Sequence, residues 1–290
     1  MNVLSLFDGM SCGQIALERV GIKVNKYYAS EIEPNSIKVT MKNYPDTIQL
    51  GDVTKHSLWE LPKIDLLIGG SPCQSLSIVQ SKTRENLDGK SKLFFEFVDV
   101  LETVKPCWFL FENVASMNEE SKTAISNLLG CQPILINSNC FSAQDRPRLY
   151  WTNIPVNMWE IKESNLCLND ILEKNVQEKY FYDYKLINLD MDKQVCATME
   201  YKIHDMHKRI FNPKFKTHTL TTCAGGNLQK KVYQDGRARK LTPLEYERLQ
   251  NVPDNYTSIV ADTNRYNMLG NGWTVDVIAH IFSHIPKEIK

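Results

Sequence analysis

The sequence predicts an α/β fold: a mostly parallel sheet covered by helices on both faces, joined to a small, loop-rich second domain. Three observations carry the prediction. Short apolar runs alternate with helical spacings along the first 153 residues, the pattern of strand–helix–strand units. The run Cys107-Trp108-Phe109-Leu110-Phe111 is apolar throughout, as a strand buried on both faces must be. Periodicity weakens from about 154 to 235 and returns near Thr242.

The elements follow in order. Residues 2–7 read as a strand, and 11–20 as a helix with Ile15, Ala16, Arg19 and Val20 at helical spacing, stopped by Gly21. A second strand is expected at 26–30, and Pro34 suits the first turn of a helix reaching Asn43. Strands at 47–50 and 64–68, an amphipathic helix at 93–104 ending before Pro106, and a fifth strand at 107–111 come next. A helix at 121–129 and strands at 134–138 and 149–153 complete the first domain. A helix at 242–250, with Thr242 as N-cap candidate ahead of Pro243, and a closing helix at 274–284 return the chain to that domain, the last helix packing beside the first strand. The expected division is therefore 1–153, 154–236 and a return over 237–290.

A chain of 290 residues buries about three quarters of its unfolded surface and needs no staples to fold. Apolar runs are far shorter than the roughly 20 residues of a membrane span, and the N-terminus lacks a basic signal region, so a cytoplasmic protein with no membrane partner is expected. The eight cysteines include no C-x-x-C pair; reduced thiols and no metal site are expected. Net charge is zero, yet between Lys193 and Lys240 eleven Lys and Arg face three acids, a local +8 in a neutral chain. That asymmetry fits one electropositive lobe, although a solvated basic surface would look the same.

The first strand ends in Phe7-Asp8-Gly9-Met10-Ser11-Cys12-Gly13, a glycine turn at the sheet edge where open α/β folds bind ligands. It lacks one glycine needed to wrap a pyrophosphate and contains an acid, which suits an adenosine ligand without phosphate, such as S-adenosylmethionine; a plain turn fits equally well. Glu31 stands 22 residues after Gly9, where an acid accepts ribose hydroxyls, and Asp52, after the third strand, can accept from an adenine amino group. In Gly69-Gly70-Ser71-Pro72-Cys73-Gln74, Pro72 fixes the backbone and holds Cys73 at the sheet edge. A nucleophilic Cys73 needs electropositive neighbours to populate its thiolate; a structural cysteine fits these residues as well. Glu112 leaves the apolar fifth strand at its carboxyl end, where partial desolvation favours a protonated carboxyl. Arg146 and Arg148, two apart in an extended segment, lie on one side of it and can supply fixed positive charge.

Taken in this order, the motifs resemble the DNA (cytosine-5) methyltransferase family along nearly the whole chain. Leu241-Thr242-Pro243-Leu244-Glu245 and Leu269-Gly270-Asn271-Gly272-Trp273 extend the match; Gly-Asn-Gly-Trp stands where many bacterial members carry Gly-Asn-Ser-Val and is similar to the vertebrate de novo methyltransferases. The resemblance implies a Rossmann-like, S-adenosylmethionine-dependent domain and a target-recognition domain at 154–236. It implies a cofactor site from Phe7, Gly9, Gly13, Glu31, Ile32, Asp52, Val53, Pro72, Leu93, Asn271 and Trp273. Cys73 would attack C6 of a cytosine flipped from double-stranded DNA, Glu112 would hydrogen-bond or protonate N3, Arg148 would contact O2 and Arg146 would orient Glu112. Residues 75–90 would form a loop closing over the base, hinged near Gly89. DNA contacts are expected from Gln74, Ser75, Ser77, Arg84, Gln144, Thr219, Thr221, Gly225, Lys230, Lys231 and Arg237, in an enzyme acting as a monomer. A tRNA cytosine methyltransferase on the same scaffold, or an inert cofactor- and DNA-binding regulator, would share many of these features.

Overall fold

The structure, a computed structural model, describes residues 1–71, 89–200, 204–223 and 227–286. The chain runs β1 (Asn2–Leu6), α1 (Cys12–Arg19), β2 (Lys26–Ser30), α2 (Pro34–Asn43), β3 (Ile48–Gln49), β4 (Leu66–Gly69), α3 (Gly89–Val104), β5 (Trp108–Val114), α4 (Glu119–Leu129), β6 (Ile134–Asn137), β7 (Gln144–Asp145) and β8 (Pro147–Thr152). It continues through β9 (Phe181–Tyr182), β10 (Leu186–Ile187), β11 (Val195–Met199), α5 (Asp205–Lys208), β12 (Arg209–Phe211), β13 (Thr217–His218), β14 (Lys231–Gln234) and β15 (Arg237–Lys240), and ends in α6 (Pro243–Leu249), α7 (Asp262–Asn271) and α8 (Val275–Ser283). Among the described residues no helix is long and apolar enough to cross a membrane.

Two compact units divide these elements. The first holds Met1–Ile136, Pro147–Met158 and the chain from Ile278; the second holds Asn137–Arg146 and Trp159–Val277. Compactness thus groups the expected return segment with the second unit as far as Val277, and leaves the end of α8 in the first.

The first unit is built on a seven-stranded sheet in the order β3-β2-β1-β4-β5-β8-β6. From β3 to β5 neighbouring strands are parallel. This is the arrangement that the continuous apolar runs require, since β4 is buried along its whole length and β1 after its first residue. β8 lies antiparallel to β5, with Glu112 opposite Tyr150 and Val114 opposite Arg148. β5 consequently runs three residues past its apolar stretch, so Glu112 sits inside the strand and not beyond its end. Phe94 and Phe97 of α3 pack on Phe111 with ring centroids 5.2 and 4.8 Å away, and Trp151 closes on Phe111 at 5.9 Å. Trp151 is fully buried and donates from Nε1 to Ser126 Oγ at 2.9 Å, which satisfies its one polar atom.

The second unit contains a six-stranded sheet, β10-β11-β12-β14-β15-β9, and a parallel pair of β13 with β7. One cluster of its buried apolar residues is Cys196, Ala197, Met199, Ile210 and Ala238. α6 starts from a capping box in which Thr242 Oγ1 accepts from Glu245 N and Glu245 accepts from Thr242 N. The Glu245 carboxylate, wholly buried, also takes a two-pronged ion pair from Arg239 at 2.6 and 2.8 Å.

Candidate active site

In the first unit the chain leaves β1 through a turn with three left-handed residues, Phe7 (φ 57°), Gly9 (φ 58°) and Ser11 (φ 66°). The non-glycine residues among them carry backbone strain, a feature that concentrates at ligand sites. Gly9 has open space where a side chain would project. Its N–H donates to Glu31 Oε2 at 2.7 Å, while Ile32 N and Glu33 N donate to Glu31 Oε1, both at 2.8 Å. Three backbone donors therefore fix this carboxylate at the carboxyl end of β2. Beside it Ile32 is 70% exposed, an apolar side chain presented to solvent at the sheet edge. Ser30 Oγ donates to Gly51 O at 2.7 Å, which ties the end of β2 to the residue before Asp52. Asp52 accepts from Thr54 N at 3.0 Å and caps the 3-10 helix Val53–Leu58; that backbone bond holds its carboxyl below the usual range. Val53 is buried in the core and Leu93 packs against the same core.

Asp8 lies in the same turn. Tyr27 Oη donates to Asp8 Oδ1 at 2.8 Å. Burial pushes the Asp8 carboxyl up to about 6, against the opposing pull of the Ser5, Ser11 and Tyr27 hydroxyls. Gly13, expected at the cofactor, is a packing glycine in this structure: a Cβ there would stand 2.8 Å from Tyr27 Oη and collide with Ile68.

Farther along the sheet, Glu112 Oε1 pairs with Arg148 Nε at 2.9 Å, each side chain 13% exposed. Arg148, on the neighbouring antiparallel strand, thus holds the Glu112 carboxyl. The Arg146 guanidinium donates to three main-chain carbonyls of the second unit: Leu220 O (3.0 Å), Gly270 O (3.0 Å) and Gly272 O (2.9 Å). Gln250 Nε2 reaches two carbonyls of the same stretch, Leu269 O at 2.7 Å and Gly272 O at 2.9 Å. Arg146 and Gln250 together hold the Leu-Gly-Asn-Gly-Trp segment. Sequence reasoning missed Gln250 because a lone glutamine in a helical stretch carries no motif. Asn271 is exposed at the end of α7, and Trp273 is half-buried just beyond.

Several expected DNA contacts sit elsewhere than foreseen. Lys231 is 1% exposed, and its ammonium donates to His207 O, Asn227 O and Gln229 O at 2.8, 2.6 and 3.0 Å. It is committed to the interior and has no donor left to grip a phosphate. Lys230 is also buried, and burial pushes both amines down to about 8. Gln144 is fully buried, bonded to Leu249 O, Gln250 Oε1 and Leu220 N, so it supports the fold and does not face a ligand. Thr219 Oγ1 donates to Asp145 O at 2.6 Å, and Thr221 is half-buried. Arg237 reaches the surface, paired with Glu178 and Asp183. Pro72, Cys73, Gln74, Ser75, Ser77, Arg84 and Gly225, with nearly all of the expected loop at 75–90, lie outside the described residues; Gly89, the expected hinge, opens α3.

Comparison with known proteins bears on the whole arrangement. The chain is 32% identical over 239 residues to the orphan methyltransferase M.SPRI of Bacillus phage SPR, covering 76% of this chain and 54% of that protein. It is 27% identical to the type II methyltransferase M1.ScrFI of Lactococcus lactis subsp. cremoris, covering 96% of this chain and 76% of the relative. The chain spans about half the length, or less, of the phage relatives it matches. Among solved structures, the Dnmt2 methyltransferase of S. pombe superposes with a TM-score of 0.71 at 18% identity, over 98% of this chain and 97% of that one, a likeness of fold. The family model for C-5 cytosine-specific DNA methylases matches residues 1–287, and the chain belongs to that family.

Proposed function

We propose that the protein transfers a methyl group from S-adenosylmethionine to C5 of a cytosine flipped out of duplex DNA, through a transient bond between Cys73 Sγ and C6. The observation that carries this reading is the Glu112–Arg148 pair, a carboxyl fixed by a cation on adjoining strands. Such a group can present a hydrogen bond to N3 of the ring while Cys73 adds to C6, stabilising the charge that develops there. The names of the phage and Lactococcus relatives, both methyltransferases, support the reaction class, and the family supports DNA as substrate.

The residues at the ends of β1, β2 and β3 fit the cofactor. The three backbone donors on Glu31 leave about one of its four acceptor positions for a ribose hydroxyl. Exposed Ile32 offers an apolar face to the adenine, and Asp52 an acceptor to its amino group. Bound there, S-adenosylmethionine supplies an electrophilic methyl group. Phe7 and Gly9 shape the turn beside it; Pro72, Leu93, Asn271 and Trp273 are assigned to it by the family pattern. Residues 154–236 serve target recognition, with Thr219, Thr221 and Gly225 as contacts and Arg237 just beyond them, and Gln74, Ser75, Ser77 and Arg84 follow the nucleophile.

The test is methyl transfer from labelled S-adenosylmethionine to duplex DNA and to tRNA in parallel, with bisulfite sequencing of DNA from an expressing host to locate the site. Label in DNA as 5-methylcytosine at a defined sequence is the expected result. Label confined to tRNA would move the substrate to RNA, and cofactor binding with transfer to neither would make the protein a regulator.

A further inference from the structure

The first unit carries a second cluster of chemistry-bearing side chains that the proposed reaction does not use. Glu96 and Asp99 lie one turn apart on α3 and share a face of it. The 3-10 helix Val53–Leu58 brings His56 to them. One donor atom from each of the three residues lies within 4.8 Å of the other two. His56 Nε2 stands 3.4 Å from Glu96 Oε2, with the two side chains only 19% and 23% exposed. That separation is long for an N–H···O hydrogen bond, whose usual length is about 2.9–3.0 Å. It matches the edge of a tetrahedron: two donors each about 2.1 Å from one ion stand about 3.4 Å apart. A dication held among the three donors would interact with both carboxylates at once.

The surroundings suit an ion. The Trp59 ring meets the imidazole edge to face at 6.3 Å and limits its rotation. A cavity lined by His56, Trp59, Leu61, Val100 and Thr103 opens beside the cluster, which supplies an entry path and room for water. Lys63 lines that cavity too, and its ammonium would compete with an ion there.

We propose that His56, Glu96 and Asp99 bind one divalent transition-metal ion of the zinc class, with water in the remaining position. One imidazole and two carboxylates form a nitrogen–oxygen set suited to such ions. The ion would tie the helix that starts immediately after Asp52 to α3, as a structural clamp outside the chemistry of methyl transfer.

The thiols of the chain are the rival ligands, so the probe is Co2+, whose spectrum separates them. Chelator-treated full-length protein is titrated with Co2+ alone and followed by visible absorption, with folding checked by circular dichroism. The expected result is one saturating equivalent with the bands of nitrogen–oxygen coordination and no thiolate charge-transfer band. His56→Gln should abolish the spectrum. Asp99→Asn should weaken binding by at least about tenfold, the scale of even outer-shell changes, and it decides the matter if His56→Gln misfolds. Absence of saturable binding, a thiolate band, or equal affinity in the wild type and a folded variant would overturn the proposal.

Discussion

Glu31 is held by Gly9, Ile32 and Glu33 before any ligand arrives, so its cost of ordering is already met when a ribose approaches. Glu31→Ala should weaken S-adenosylhomocysteine binding by about 1–3 kcal/mol, the range for a hydrogen bond to a charged group; calorimetry showing unchanged affinity would take Glu31 out of the site. Asp8 makes a different prediction. Its carboxyl is pushed up to about 6 in the folded chain from an ordinary 3.8, so its stabilising share is complete below about pH 4 and is lost as pH rises through about 6. Asp8→Asn keeps an acceptor for Tyr27, so urea denaturation should show the variant gaining on the wild type across that window; a difference that stays flat with pH would mean the carboxyl is not desolvated. That Glu31 and Asp8 follow strand ends was readable from sequence, because the apolar runs before them mark the strands. The role of Lys231 was not, because counting charge cannot see that an ammonium has three carbonyls around it.

At the scale of elements, legibility followed burial. Every strand of the large sheet was visible, the inner ones because a strand covered on both faces must be apolar, and Pro34 and Thr242 marked helix starts correctly. The stretch from about 154 to 235 reads as a loop-rich domain, and most of it lies in the second unit. Its strands are two to five residues long, too short for an alternation to repeat and register. α7 was missed for a related reason: Asp-Thr-Asn-Arg-Tyr-Asn-Met-Leu-Gly-Asn is polar nearly all round and has no side-chain cap. The cap of α6 is where this unit concentrates its polar energy. Glu245→Ala would strand the buried Arg239 guanidinium, at a cost of about 3–5 kcal/mol in urea denaturation. A loss under about 1 kcal/mol would mean that water reaches the pair. Gly13→Ala should cost about 1–3 kcal/mol through overpacking of α1 on the sheet, and wild-type stability would show that the helix can shift away.

For the whole molecule, the charge asymmetry survives the burial of Lys230 and Lys231 but changes address. Lys214 is exposed, and Arg237 reaches the surface. Lys214→Ala should weaken binding to all duplexes alike and flatten the salt slope by about one unit, whereas Lys231→Ala should lower stability first. Loss of cognate binding alone in Lys214→Ala, with the slope intact, would reverse that division. The proposed reaction turns on Cys73, and one measurement addresses it directly. A duplex carrying 5-fluorocytosine at the methylated position is incubated with the protein and S-adenosylmethionine, then denatured and mapped by mass spectrometry. Fluorine cannot leave C5 as a proton does, so the account predicts a stable adduct at Cys73, absent in Cys73→Ser although that variant still binds S-adenosylhomocysteine. Methylation without an adduct, an adduct at another residue, or full turnover by Cys73→Ala would contradict it.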